Sequence, residues 1–258
     1  THYGKREGLA SNEASSIIQG EKGFLWIGTL NGLQRYDGTR FLTFRKSDEN
    51  KHNMPSSYIT DLHFDRQKQL WVVFGNGKLG IFDRKNFRFV EVKVETPDPN
   101  VLIRRKKLMD DVSGNVYLVI PRTVFVYDTA TGKFINAKDR LKIPPGWQLG
   151  NMVADPVLPK LWIVADSGRA VFNNATGKLS YPGNNAENEP AIRLAQHIRY
   201  LNRVLVDAKG RIWLKSSPPR YGNYIIHTID VNKGTIANHT LKDQIDGFHD
   251  LWGFFVSK

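Results

Sequence analysis

The sequence predicts an all-β chain, a β-propeller of four-stranded antiparallel blades. Three observations predict it. A motif recurs at a nearly constant period, an aromatic residue stands at the same place in each copy, and Gly, Asn and Asp turns separate short β-branched and aromatic runs.

The copies align as "GEKGFLWIG" (Gly20–Gly28), "DRQKQLWVV" (Asp65–Val73), "DVSGNVYLVI" (Asp111–Ile120), "DPVLPKLWIV" (Asp155–Val164) and "DAKGRIWLK" (Asp207–Lys215). Each gives a polar turn and then an aliphatic–aromatic–aliphatic triplet. The aromatics are Trp26, Trp71, Tyr117, Trp162 and Trp213, spaced by 45, 46, 45 and 51 residues. Trp252 opens a sixth copy after 39. Within a copy, a short strand precedes the triplet strand and two more follow it, which makes four strands in about 45 residues, the size of a propeller blade. The expected blades are 8–47, 56–95, 102–138, 150–182 and 198–241, with a stub at 242–258, all in one partial propeller. In "GFLWIGTLNGLQRYDG" the second and third strands meet at Asn31-Gly32, both expected at positive φ, and Asp37-Gly38 begin the next turn. The five triplet aromatics are expected in the blade core, where a flat ring buries a large apolar area. Asp65, Asp111 and Asp207 recur just before a turn and are expected to cap it. The one stretch with a helical period is "EPAIRLAQHIRYLNRV" (Glu189–Val204).

Composition narrows the class. Of 258 residues, 40% are hydrophobic, enough for a packed core and too many for a disordered chain. No apolar run approaches the roughly 18–20 residues of a membrane span. The first residues lack a signal-peptide pattern and a Met, as in a trimmed or mature segment. The absence of cysteine removes disulfides, thiolate zinc sites and thiol nucleophiles. Lys and Arg outnumber Asp and Glu by 37 to 25, a net charge of +12 that favours polyanionic partners.

The first copy carries a family resemblance. Gly8-Leu9, Gly23, Leu25-Trp26-Ile27-Gly28-Thr29, Asn31-Gly32-Leu33, Arg35-Tyr36-Asp37-Gly38 and Phe41 closely resemble the two-component regulator propeller repeat. The second copy matches through Trp71, Gly77, Phe82-Asp83 and Phe89, and the later ones keep the period. The resemblance implies the extracytoplasmic, periplasmic sensor region of a Bacteroides-type hybrid two-component system, which binds carbohydrate fragments and controls genes for polysaccharide use. Such regions hold a pair of seven-bladed propellers, then a β-sandwich, a membrane helix and a cytoplasmic kinase. Five clear blades and a stub therefore imply a fragment of a seven-bladed propeller, with self-association in the full receptor and membrane contact only through segments absent here.

Other chemistries find little support. "GNGKLG" (Gly75–Gly80) has the spacing of a dinucleotide loop, but strand rather than helix follows it, so its glycines read as a hairpin turn. The seven histidines show no metal-binding spacing. No nucleophile elbow or Ser-His-Asp arrangement is readable. Asn174 and Asn238 open glycosylation triplets that a bacterial chain leaves bare. No catalytic residue, metal or cofactor is expected, and no nucleic-acid partner, since no such motif accompanies the charge.

Propellers bind ligands where inter-blade loops and second-to-third strand turns converge. Those stretches here carry Arg104, Arg105, Lys107, Arg122, Trp147, Arg193, Arg199, Tyr200, Arg220 and Tyr221, the candidate ligand-binding set. Flat aromatics suit the apolar faces of sugar rings, and arginine forks suit uronate or sulfate. The expected partner is an oligosaccharide, acidic in keeping with the charge. The alternatives are a protein-interaction or dimerisation scaffold, and a lyase resembling streptogramin lyase.

Overall fold

Among the described residues each of the first five repeat copies folds as one antiparallel sheet whose strand order follows the chain. The computed structural model describes residues 3–47, 49, 52–103, 106–217 and 224–240; the sixth copy, 242–258 with Trp252, lies outside them. The first sheet holds β1 (Ala14–Gln19), β2 (Leu25–Thr29), β3 (Gly32–Tyr36) and β4 (Phe41–Phe44). The second holds β5 (Ile59–Phe64), β6 (Leu70–Phe74), β7 (Leu79–Asp83) and β8 (Arg88–Glu91). The third holds β9 (Lys107–Asp110), β10 (Val116–Ile120), β11 (Thr123–Asp128) and β12 (Lys133–Asn136), followed by the short helix α1 (Lys138–Leu141). The fourth holds β13 (Leu149–Ala154), β14 (Lys160–Ala165), β15 (Gly168–Asn173), β16 (Lys178–Tyr181) and a short fifth strand, β17 (Asn184–Asn185). After α2 (Pro190–Leu194), the last sheet holds β18 (Leu201–Val206), β19 (Ile212–Ser216), β20 (Ile225–Asp230) and β21 (Thr235–Thr240).

The described residues fall into two compact units. The first lies within Thr1–Asp110, Val116–Ile120 and Phe125–Asn136, the second within Asp111–Asn115, Pro121–Val124 and Ala137–Lys258.

Strand position within a sheet sets composition. The second strand has sheet on both sides and apolar residues above and below, so it reads as a continuous hydrophobic run. In β6, Leu-Trp-Val-Val-Phe, all five positions are buried, whereas β8 at the sheet edge buries only Phe89. The β2–β3 turn differs from the expected one. Only Gly32 has positive φ (127°), and Asn31 does not. Thr29 replaces the second left-handed residue: its hydroxyl accepts the Asn31 N–H and donates to the Gly32 carbonyl. A Cβ on Gly32 would stand 2.7 Å from the Phe44 carbonyl oxygen, so the position needs glycine twice over.

The helical stretch expected over Glu189–Val204 is mostly overturned. Helix covers Pro190–Leu194 only, and β18 takes the last residues. The apolar residues Ala191, Ile192 and Ala195 still face one core, but Tyr200 enters β18 at φ 57°, which ends any helix. The fourth sheet also runs past the expected boundary at 182, because β17 pairs with Ser180 and Tyr181 and turns the chain back.

The repeat aromatics knit adjacent sheets. In the first unit Trp26 stacks on Phe44 and meets Phe82 of the second sheet edge-on. Trp71 meets Tyr127 and Phe134 of the third sheet in the same way. In the second unit Trp162 packs with Val204, Ile212, Leu214 and Ile229 of the last sheet. Tyr117 is fully buried. Trp213 departs from the expectation and is only partly buried; Arg211 lies over its ring and His239 stacks on it.

The turn aspartates do more than cap. The Asp65 carboxylate accepts the Gln69 N–H at 2.8 Å and the Trp71 indole N–H at 2.7 Å. Asp155 and Asp207 accept from Trp162 and Trp213 at 3.1 Å each. One carboxylate thus fixes both the tight turn and the ring of the strand that follows it. In the third copy tyrosine has no ring N–H, and Asp111 accepts instead from the side-chain amides of Asn115 and Asn174. The Asn174 nitrogen of the first glycosylation triplet is therefore engaged inside the second unit.

First strands of neighbouring sheets within a unit share no backbone ladder. A side chain beside the bulge in one strand bridges them by accepting a backbone N–H of the next: Ser16 from Leu62 (3.2 Å), Asp61 from Leu108 (3.4 Å) and Asn151 from Val204 (2.9 Å). Asp61 is the titratable member. Burial raises its pKa, against the backbone N–H groups of Leu108 and Leu62 and the charges of Lys107 and His63, which lower it. A carboxyl whose folded pKa is raised stabilises the fold most when protonated, and that contribution fades as pH rises through the raised value. Asp61→Asn, which copies Asn151, should therefore raise the melting temperature at pH 7 by about 1–3 °C and lose that advantage near pH 3. Thermal unfolding across pH checks it, and an equal shift at both pH values would contradict the assignment.

Candidate functional site

Within the second unit, the described residues that the sequence singles out for ligand contact fall at different ends of their sheets. Arg104, Arg105, Arg220 and Tyr221 lie outside the described residues. The basic run Arg104–Lys107 ends as two unlike side chains. Lys106 is buried and donates to the Leu102 carbonyl, whereas Lys107 is exposed at the start of β9. Lys107 occupies the repeat position of Ser16, Asp61 and Asn151, on the first strand rather than in a loop. Arg193 lies beside Val231–Gly234, the β20–β21 turn, together with Pro190 and Gln196. That turn is at the opposite end of its sheet from the β19–β20 turn. The cause is β17, which reverses the chain before α2 forms.

Two candidates, Arg122 and Trp147, do come together, in the second unit, at the ends where β13 and β15 begin. Arg122 tips the β10–β11 turn at φ 75°, and its backbone N–H donates to the Leu149 carbonyl at 3.0 Å. Trp147 is partly buried. Its ring lies against Gly168 of the β14–β15 turn, where an added Cβ would stand 3.3 Å away, and meets Tyr181 edge-on at 5.6 Å. Between them Gln148 and Asp166 exchange two bonds: the Gln148 N–H donates to the Asp166 carboxylate at 3.0 Å, and the Asp166 N–H to the Gln148 carbonyl at 3.1 Å. The Asp166 pKa is lowered by the Gln148 N–H first, then by the Ser167 hydroxyl, with Arg122 adding to the effect. The site is an exposed cation, a tethered carboxylate and a partly buried indole whose rim lies against Gly168. Such a surface offers one apolar platform, a donor fork and an acceptor.

The same strand-entry position recurs. In the second, fourth and fifth sheets the residue after the second strand donates its N–H to the carbonyl of the residue before the first strand: Gly75 to Tyr58, Asp166 to Gln148, Ser217 to Tyr200. Tyr58 and Tyr200 are both well exposed there, at 45% and 59%. Tyr200 was anticipated from the sequence; Tyr58, Gln148, Asp166 and Tyr181 were not. Tyr58 lies across Gly75, where a Cβ would come within 2.2 Å of its ring, as Trp147 lies across Gly168. Glycine after a second strand and an aromatic before the first strand are both legible in the sequence; their contact is not. Arg199 is exposed beside Tyr200.

One further constellation escaped the sequence. The Ser216 hydroxyl lies 2.8 Å from His227 Nε2, and His227 Nδ1 lies 2.7 Å from Asn238 Oδ1, across β19, β20 and β21. The order is that of an activated nucleophile. Ser216 is only 3% exposed, and the neighbouring Ser217 N–H is already given to Tyr200. Burial lowers the His227 pKa, so the ring is neutral at pH 7 and ties three strands together.

Comparisons with known proteins agree with this architecture. Residues 8–31 match the two component regulator propeller family model. No curated protein matches the chain. Among solved structures, the extracellular domain of the hybrid two component system BT3049 from B. thetaiotaomicron is similar at TM-score 0.62 and 21% identity, over 92% of this chain and 31% of that one. The extracellular domain of BT4673 from the same organism gives 0.61 and 16%, over 90% and 31%. YCF48 bound to a D1 peptide gives 0.55 and 11%, over 89% and 68%. These likenesses establish the β-propeller fold. The chain spans about a third of the B. thetaiotaomicron domains it matches.

Proposed function

We propose that the chain is a sensing region of an extracytoplasmic hybrid two-component receptor and that it recognises an acidic oligosaccharide without making or breaking a bond. The match of residues 8–31 to the regulator propeller, together with a fold shared with receptor extracellular domains, carries the reading. No helix among the described residues is long and apolar enough to cross a membrane. The Trp147–Arg122–Asp166 surface supports the ligand class: the indole suits a sugar face, Arg122 a carboxylate or sulfate, and Asp166 a hydroxyl. A ligand held there would signal through different affinities for two states of the receptor.

Calorimetric titration with oligogalacturonate and a neutral oligosaccharide of equal length tests this at physiological salt. Trp147→Ala should weaken binding of the acidic ligand by about tenfold or more, and Arg122→Ala should remove the preference for acid over neutral. Binding to every polyanion that vanishes with salt would reduce the surface to a generic basic patch. Absence of binding to both ligands would overturn the reading for this chain.

A further inference from the structure

Tyr200 leads into β18 as Trp147 and Gln148 lead into β13, and all of these residues belong to the second unit. The register is the same in both sheets. The Gln148 carbonyl accepts the Asp166 N–H, the Tyr200 carbonyl accepts the Ser217 N–H at 2.9 Å, and a bulge follows, at Leu149/Asn151 in β13 and at Leu201/Arg203 in β18. Two side chains tie the strand entries together. Asn151 accepts the Val204 N–H at 2.9 Å. Arg169 follows the Gly168 that the Trp147 rim touches, and its guanidinium donates to the Ile198 carbonyl at 3.2 Å, two residues before Tyr200, and to the Ile192 carbonyl at 3.4 Å. Among the described residues no carboxylate pairs with this guanidinium, which serves those carbonyls alone. The run of contacts from Trp147 through Gly168 and Arg169 to Ile198 sets Tyr200 at the same end of the unit as Trp147.

The backbone of Tyr200 is left-handed, φ 57°, a conformation that a bulky side chain rarely adopts. Phe87 shares it at φ 55°, but its ring packs against the core of the first unit. The Tyr200 ring is 59% exposed, so core packing does not account for its conformation. Strain of this kind persists where neighbouring contacts over-determine it, and it gathers at ligand clamps. Here the Ser217 N–H holds the Tyr200 carbonyl, and Asn202 Nδ2 donates to the Ser217 hydroxyl at 2.6 Å. An exposed ring offers a face to the apolar side of a sugar, and Arg199, exposed immediately before it, offers a guanidinium fork to a carboxylate. Trp147 and Arg122 make the same pair of groups. We propose that Tyr200 and Arg199 form a second sugar subsite, which continues the Trp147 surface along one end of the second unit and lets the chain hold two uronate residues of one oligosaccharide. The proposal rests on the oligosaccharide reading and adds to it a dependence on ligand length.

Calorimetric titration with galacturonic acid and with hexagalacturonate at physiological salt tests it. Two subsites on one chain make the second contact intramolecular, so the wild type should bind the hexamer about a hundredfold more tightly than the monosaccharide. Tyr200→Asn removes the ring and keeps a residue that tolerates the left-handed backbone. It should weaken the hexamer by about tenfold and leave the monosaccharide, seated on Trp147, within about twofold. Tyr200→Phe keeps the ring face and should bind the hexamer as the wild type does, whereas Trp147→Ala should weaken both ligands. An unchanged hexamer affinity in Tyr200→Asn, or equal losses for the two ligands, overturns the second subsite and leaves the oligosaccharide reading standing. A wild type that binds the two ligands equally well does the same. Failure of the wild type to bind either ligand overturns both. If Tyr200→Asn does not fold, Arg199→Ala decides: it should weaken the hexamer by about tenfold, and an unchanged affinity refutes the proposal.

Discussion

Trp71→Ala should cost the first unit about 4 kcal/mol, the largest effect of any single substitution considered. The ring is fully buried, meets Tyr127 and Phe134 edge-on, and packs with Val73, Leu79, Leu108 and Leu118. Its removal opens a cavity in the seam between the second and third sheets, and it also strips the Asp65 carboxylate of its indole donor. Collapse around the gap is limited because strands β6 and β10 are held in their own ladders. Trp71→Phe separates the two losses: it keeps most of the apolar area and should cost about 1–2 kcal/mol. Urea unfolding followed by circular dichroism measures both. A Trp71→Ala loss below about 1 kcal/mol would show that the seam repacks and that the aromatic repeat does not hold the sheets together.

Asp65→Ala is expected to cost about 3 kcal/mol. Asp65 is 3% exposed, and its loss leaves both the Gln69 backbone N–H and the Trp71 indole N–H without this acceptor. An unmet buried donor costs more than a made bond returns, because it has already given up water. Asp65→Asn should recover part of the loss, since one amide oxygen can serve one donor while its NH2 opposes the other. The Asp65→Ala and Trp71→Phe effects should be less than additive by about 1 kcal/mol, as both remove the same bond. Full additivity would show that the carboxylate and the indole act independently.

These two residues also mark how far sequence reasoning reaches. The period, the strand order and the burial of Trp26, Trp71, Tyr117 and Trp162 were legible, because a ring at a fixed register in a doubly covered strand has only a core to enter. The recurring aspartates were legible as turn formers, but not as indole acceptors, since nothing local says which lone pair meets a ring six residues on. The bridging side chains Ser16, Asp61 and Asn151 stand ten, ten and eleven residues before their aromatics, a spacing that could have been found by aligning the repeat. The Ser216–His227–Asn238 chain could not, because its spacing depends on two hairpin registers at once. The candidate site was half legible. Trp147 and Arg122 were chosen for their chemistry and their turns, yet Arg193, chosen on the same grounds, was carried to the far end of its sheet by β17.

The sequence by itself determined the repeat, the four-stranded unit and the core rings, all of which follow from periodicity, turn chemistry and apolar burial within some 45 residues. Only the tertiary structure decided which polar side chains meet across sheets, where a loop turns back, and that Arg169 is buried without a carboxylate. Those outcomes depend on contacts between residues far apart in the chain, whose geometry is set by packing and by the desolvation of each polar group.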